Sequence, residues 1–96
     1  MPVGVLQIEI VLPEAASLKD RRQVVRSLKD RLRRQFNVSV AEMDATPDLW
    51  QRASIGIAAI GPDAAYLLGL LQQAAAAAER MLAGQDVRCG EAEIVS

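Results

Sequence analysis

The chain has 96 residues, 51% of them hydrophobic and 24% charged, with 11 basic against 12 acidic side chains and a net charge of −1. This is one domain's worth of globular composition, able to bury a single modest core and too apolar for a disordered chain. With no histidine and a single cysteine, it lacks the commonest general base and metal ligand, and it cannot close an intramolecular disulfide.

The first strand is expected from Val3 to Leu12, where Leu6, Ile8, Ile10 and Leu12 alternate with Val5, Gln7, Glu9 and Val11. Pro13 ends it. Ser17 with Asp20 three residues later reads as a helix start. Leu18, Val24, Val25, Leu28, Leu32 and Phe36 then fall on one arc at about 100° per residue, predicting a helix to about Gln35. Arg21 projects near that arc, and its head is expected to snorkel into water at the first turn.

Phe36 to Asp44 changes to period two and reads as a second strand, followed by the loop Ala45-Thr46-Pro47-Asp48. A third strand is expected over Leu49 to Ile60. Its core face would be Ala53, Ile55, Ile57 and Ala59, and its other face Trp50, Arg52, Ser54, Gly56 and Ala58. Gly61-Pro62-Asp63 opens a second helix, with Pro62 in its first turn. Leu67, Leu68, Leu71, Ala74, Ala75, Ala78, Met81 and Leu82 would form its buried face, and Gly84 would stop it. Asp86 to Val95 reads as a weaker last strand interrupted by Gly90.

The order β-α-β-β-α-β predicts an α+β fold: a ferredoxin-like sandwich over residues 1–96 as a single domain. Right-handed crossovers place both helices on one face of a four-stranded antiparallel sheet. The open face would carry Gln7, Glu9, Ser39, Arg52, Ser54, Glu91 and Glu93, with Val5 and Trp50.

No catalytic constellation is visible. Cys89 has no histidine partner and no second cysteine at metal spacing, and the glycines Gly56 and Gly61 form no phosphate-cradling loop. Glu91 and Glu93 share one side of a strand, with nothing nearby to organise them for acid–base work. Neither an enzyme, a cofactor nor a metal is expected. The N-terminus lacks a basic region followed by an apolar core, and no run of 18 or more apolar residues occurs. A cytoplasmic protein without a membrane segment is therefore expected.

Charge is unevenly spread. Eight basic residues lie between Lys19 and Arg34 against Asp20 and Asp30, a local net of +6; the remainder carries three basic and ten acidic residues, a net of −7. Lys19, Arg22, Arg26, Lys29 and Arg33 recur at spacings of 3, 4, 3 and 4, so they form one stripe on the first helix. Such a stripe is either a solvated face or a phosphate-contacting ridge; like charges in one row repel, which a bound polyanion would relieve. Trp50 and Arg52, opening the third strand, are either a plug at the end of the core or an interface anchor. Two partner classes follow: RNA or the ribosome at the stripe, and a second copy of the chain in a homodimer through the open sheet or a strand edge.

Several segments together resemble one family. Val3-Gly4-Val5-Leu6, Ala16-Ser17-Leu18-Lys19 with Arg21-Arg22, Phe36-Asn37-Val38-Ser39-Val40-Ala41-Glu42 and Asp48-Leu49-Trp50-Gln51-Arg52-Ala53 are similar to the YlxP-like bacterial proteins, a family of unknown function. The likeness runs from the first strand through the third; the second helix and last strand follow it in pattern only. It implies a ferredoxin-like fold and a gene among those for translation and ribosome maturation, near an initiation factor and ribosome-binding factor A. It implies no catalytic residues. The proline-bearing loop Ala45-Thr46-Pro47-Asp48 is a departure from that family.

Overall fold

The computed structural model describes residues 1–13, 16–43 and 51–96. Trp50, Leu49 and the loop Ala45-Thr46-Pro47-Asp48 lie outside the described residues. Strand β1 (Val3–Val11) is followed by helix α1 (Leu18–Gln35), strands β2 (Ser39–Glu42) and β3 (Arg52–Ile60), helix α2 (Ala64–Met81), and the short strands β4 (Asp86–Cys89) and β5 (Glu93–Ile94).

The sheet order is β2-β3-β1-β4, with β5 also on β1. Every pairing is antiparallel. The expected last strand is thus two pieces: β4 pairs with Ile8–Val11 and β5 with Gly4 and Val5, while Gly90 between them donates its N–H to the Gln7 carbonyl at 2.8 Å. Strand β2 starts later than its periodicity implies. Phe36 is the extended C-cap of α1, and its N–H still bonds Leu32 O.

Alternation decides which face is buried. Leu6, Ile8, Ile10 and Leu12 from β1 and its exit, and Ala53, Ile55, Ile57 and Ala59 from β3, pack against Val25, Leu28 and Leu32 of α1 and Leu67, Leu71, Ala74, Ala77 and Ala78 of α2. Both helices therefore cover the same face, giving the two-layer α+β sandwich expected from the element order. Ala77 is buried although its size leaves little hydropathic signal, whereas Leu68 and Ala75 are only partly buried.

Local chemistry fixes the helix ends. Ser17 Oγ accepts the Asp20 N–H at 3.2 Å, and Asp20 reaches back to the Ala16 N–H at 2.9 Å. Asp63 is the N-cap of α2, accepting the Tyr66 N–H at 2.8 Å, so Pro62 precedes the helix instead of sitting in its first turn. Gly84, at φ +94°, supplies the left-handed turn after α2.

Arg21 departs from the sequence expectation. Its side chain does not snorkel; it is 3% exposed and points inward, where Nε–H donates to the Arg52 carbonyl at 2.8 Å and Nη1 meets Glu42 Oε2 at 3.5 Å. The guanidinium finds acceptors at the strand ends, so burial satisfies it better than the short reach to water would.

Candidate functional site

The helical repeat places Lys19, Arg22, Arg26, Lys29 and Arg33 in one row along the flank of α1 that faces away from α2. From Lys19 to Arg33 the row extends about 21 Å at the rise of an α-helix. Lys19, Arg22, Arg26 and Arg33 are exposed, and Lys29 is half-buried.

Two shallow depressions border the row. One, of about 430 Å³, lies toward β2 and is lined by Arg22, Arg26, Lys29, Asp30, Arg33 and Glu42. The other, of about 500 Å³, lies on the outward side and adds Lys19, Gln23, Ser27, Arg31 and Arg34 to Arg22, Arg26 and Asp30. Arg31 and Arg34 were not among the residues marked by the five-membered stripe. Their signal is in the sequence all the same: Gln23, Ser27, Arg31 and Arg34 recur at spacings of 4, 4 and 3, which makes a second polar row beside the first.

The members of the row are not equivalent. Arg33 is engaged at home: Nη2 donates to the Val40 carbonyl of β2 at 2.9 Å, and Nη1 stands 3.9 Å from Asp30 Oδ1. Asp30 thus turns to Arg33 one turn on, and not to Arg26 or Arg34 as an i±4 pairing would have it. Among the described residues, Lys19, Arg22, Arg26 and Lys29 make no ion pair. Four cations in register, none of them ion-paired, attract polyanions, and they are spaced at about 4.5 to 6 Å of helix rise.

The open sheet face has a different character. At one end Gln7 Nε2 donates to Glu9 Oε1 at 3.0 Å and to Ser54 Oγ at 2.8 Å, and Ser54 Oγ–H donates to Glu9 Oε1 at 2.9 Å. Ser54 is 7% exposed within this knot. At the other end Val5, Ala58 and Gly56 form an apolar stretch. Arg52 is exposed at the start of β3, and its backbone oxygen holds Arg21. The expected partner of Arg52 in an interface, Trp50, is outside the described residues.

Cys89 lies at the sheet edge beneath α2, with Sγ 3.5 Å from Glu79 Oε1. Burial, then the hydrogen bond and charge of Glu79, push its thiol up to about 11. A thiol held protonated is a poor nucleophile and a poor metal ligand. Among the described residues no cluster of three or more His, Cys, Asp or Glu is placed to hold a metal ion, and no helix is long and apolar enough to cross a membrane.

A protein family described as a protein of unknown function (DUF503) matches residues 3–89. The chain belongs to the DUF503 family. The match continues past β3 through α2 to the end of β4, beyond the segments that carried the sequence resemblance. Among curated proteins, this DUF503 chain is 40% identical over 58 residues to the uncharacterized protein YlxP of Bacillus subtilis (strain 168), covering 60% of this chain and 62% of that one. The YlxP-like resemblance therefore holds, with the matched stretch spanning under two thirds of that relative. Two solved structures share the fold. A C-terminal segment of the alpha subunit of aIF2 from Pyrococcus abyssi aligns with a TM-score of 0.59 at 20% identity, over 93% of this chain and 49% of that one. The de novo designed protein Foldit4 aligns with a TM-score of 0.53 at 11% identity, over 99% of this chain and 98% of its own. At such identities the likeness is one of fold alone.

Proposed function

We propose that this DUF503 chain is a non-catalytic, cytoplasmic accessory protein of bacterial translation or ribosome maturation, and that it contacts structured RNA through α1. The observation that carries it is the row Lys19, Arg22, Arg26 and Lys29, which lies on one helix flank without ion pairs among the described residues. Contacts of this kind recognise phosphate and not base identity. Among the described residues no aromatic side chain stands on the open sheet to stack a base, which favours a duplex or folded RNA met through its backbone. The raised Cys89 thiol and the absence of histidine support a binding role over a catalytic one. The YlxP-like resemblance, with its gene setting among translation genes, supports the choice of RNA over other polyanions.

The test is binding of an RNA hairpin at several salt concentrations by the parent and by an Arg22→Gln, Arg26→Gln, Lys29→Gln variant. Each lost phosphate contact flattens the log–log salt slope by about 0.7 to 0.9, so the triple change is expected to flatten it by roughly 2 units. An unchanged slope and affinity would mean that the row is only a solvated face.

A further inference from the structure

The outer face of the sheet, on the layer opposite α1 and α2, holds a groove that the α1 row does not use. Its volume is about 580 Å³. Its floor is Val5, Ala41, Gly56 and Ala58, with the polar Gln7 and Ser39 beside them, drawn from three adjacent strands. One wall is Met43, whose thioether lies over Gly56: a Cβ built there would come within 2.8 Å of Met43 Sδ. The opposite wall is Glu91 and Glu93, with Glu93 in register against Val5.

We propose that this groove docks an amphipathic helix of a partner protein, apolar on the docking face and lined with Lys or Arg along one edge. Three observations select that occupant. The first is width. From β2 through β3 and β1 to β5 there are three strand intervals, about 14 Å between the wall strands, which accepts the roughly 10 Å body of a helix. The second is the apolar surface. Met43 is 58% exposed, and the alternation that puts Val5 and Ala58 on the floor also puts Ile60 and Val95, 50% and 56% exposed, on the same face at the sheet end. Small floor residues admit a partner's larger side chains, and an adaptable thioether at the wall re-packs around them. The third is charge: among the described residues, both charged side chains lining the groove are acidic.

The charge also disfavours a second copy packed face to face on this groove. Against Glu91 and Glu93, another copy's outer face offers Arg52 and Arg88. Arg88 is engaged with Asp86 at 3.5 Å, and Arg52 is opposite Val11, about 20 Å along β1 from Val5. The acidic wall calls instead for cations carried by the docked helix itself.

Three helical peptides serve as probes: one of leucine and lysine with the leucines on one face, its counterpart with every lysine replaced by glutamate, and one with every leucine replaced by serine. Titrated into the whole 15N-labelled chain, the first is expected to shift amides of Val5, Ala41, Gly56, Ala58 and Glu93, and the other two to leave them in place. The double change Glu91→Gln with Glu93→Gln is expected to weaken binding roughly three- to tenfold, since two exposed ion pairs are modest. Ala58→Arg, on the outer face, is expected to abolish it while circular dichroism stays unchanged. The proposal is overturned if the leucine–lysine peptide fails to bind at millimolar concentration, if its shifts map to α1, or if the serine peptide binds equally well. It is also overturned if the free chain sediments as a dimer with the groove amides broadened, because a second copy would then be the occupant.

Discussion

Arg21, 2% exposed on α1, donates through Nε to the main-chain oxygen of Arg52 at 2.8 Å, and so ties the first turn of the helix to the start of β3. The same guanidinium meets Glu42 at the end of β2. One side chain thereby joins three elements and fixes where the basic flank of α1 stands against the sheet. Hydrogen bonds from a charged donor contribute about 1.5 to 3 kcal/mol each, and a buried acceptor left without its donor is penalised.

Arg21→Met keeps the apolar stem but removes the donors, and it is expected to lower stability by about 2 to 3 kcal/mol in urea unfolding. Arg21→Lys keeps the charge without the planar fork and is expected to recover less than half of that. A Met variant within about 0.5 kcal/mol of the parent would show that the buried arginine contributes no net stability.

The core was legible because it is periodic: Leu6 to Leu12 at every second residue and Val25, Leu28 and Leu32 at helical spacing need no knowledge of their partners. The row from Lys19 to Arg33 was legible for the same reason. What spacing cannot show is where a long side chain ends. Arg21 and Arg33 leave the helix from unremarkable positions, and their roles are set by the carbonyls of Arg52 and Val40, which tertiary pairing brings near. The groove on the open face was equally hidden, because it depends on Met43 folding over Gly56 across the β2–β3 pair. Position 90 shows the intermediate case. Gly90 announced an interruption, but only the register reveals that the chain resumes on β1 as β5.

Arg33 is predicted to protect a sheet edge and not to bind RNA. Strand β2 is the outermost strand next to β3, and Val40 turns its carbonyl outward to meet Arg33 Nη2. An exposed edge carbonyl is a template for another chain, and a covering arginine blunts it. Arg33→Ala is expected to lower stability by about 1 kcal/mol and to increase self-association at high concentration, while changing the RNA salt slope less than Arg26→Gln does. Light scattering and hairpin binding read the two effects separately. A slope that falls as much for Arg33 as for Arg26 would return Arg33 to the binding row.

Two glycine-to-alanine changes are expected to have opposite signs. Gly69 sits inside α2, and a Cβ there would meet nothing within 4 Å. Gly69→Ala removes unfolded-state freedom at a helical position and is expected to stabilise by roughly 0.5 to 1 kcal/mol. Gly84 also has open space, but its φ is +94°, a conformation that alanine resists. Gly84→Ala is expected to destabilise by about 1 kcal/mol. Thermal unfolding of both variants checks the sign, and a Gly84→Ala protein as stable as the parent would show that the turn relaxes at no cost.

Cys89 connects stability to alkaline pH. Its thiol is pushed from 9.0 up to about 11, first by burial and then by the hydrogen bond and negative charge of Glu79. A thiol whose folded pKa stands above its unfolded value favours the folded state while protonated. That contribution is complete below about pH 9 and is lost as the pH climbs through about 11. The same shift governs reactivity. Two pH units cut the thiolate fraction about a hundredfold, so at pH 8 iodoacetamide is expected to alkylate folded Cys89 about a hundred times more slowly than the unfolded chain. Glu79→Gln removes the charge beside Sγ while leaving the burial. It is therefore expected to speed alkylation without reaching the unfolded rate, and to make the alkaline loss of stability smaller, with the same onset near the unfolded pKa and an end at lower pH. Equal rates for the variant and the parent would mean that burial alone holds the proton on Cys89.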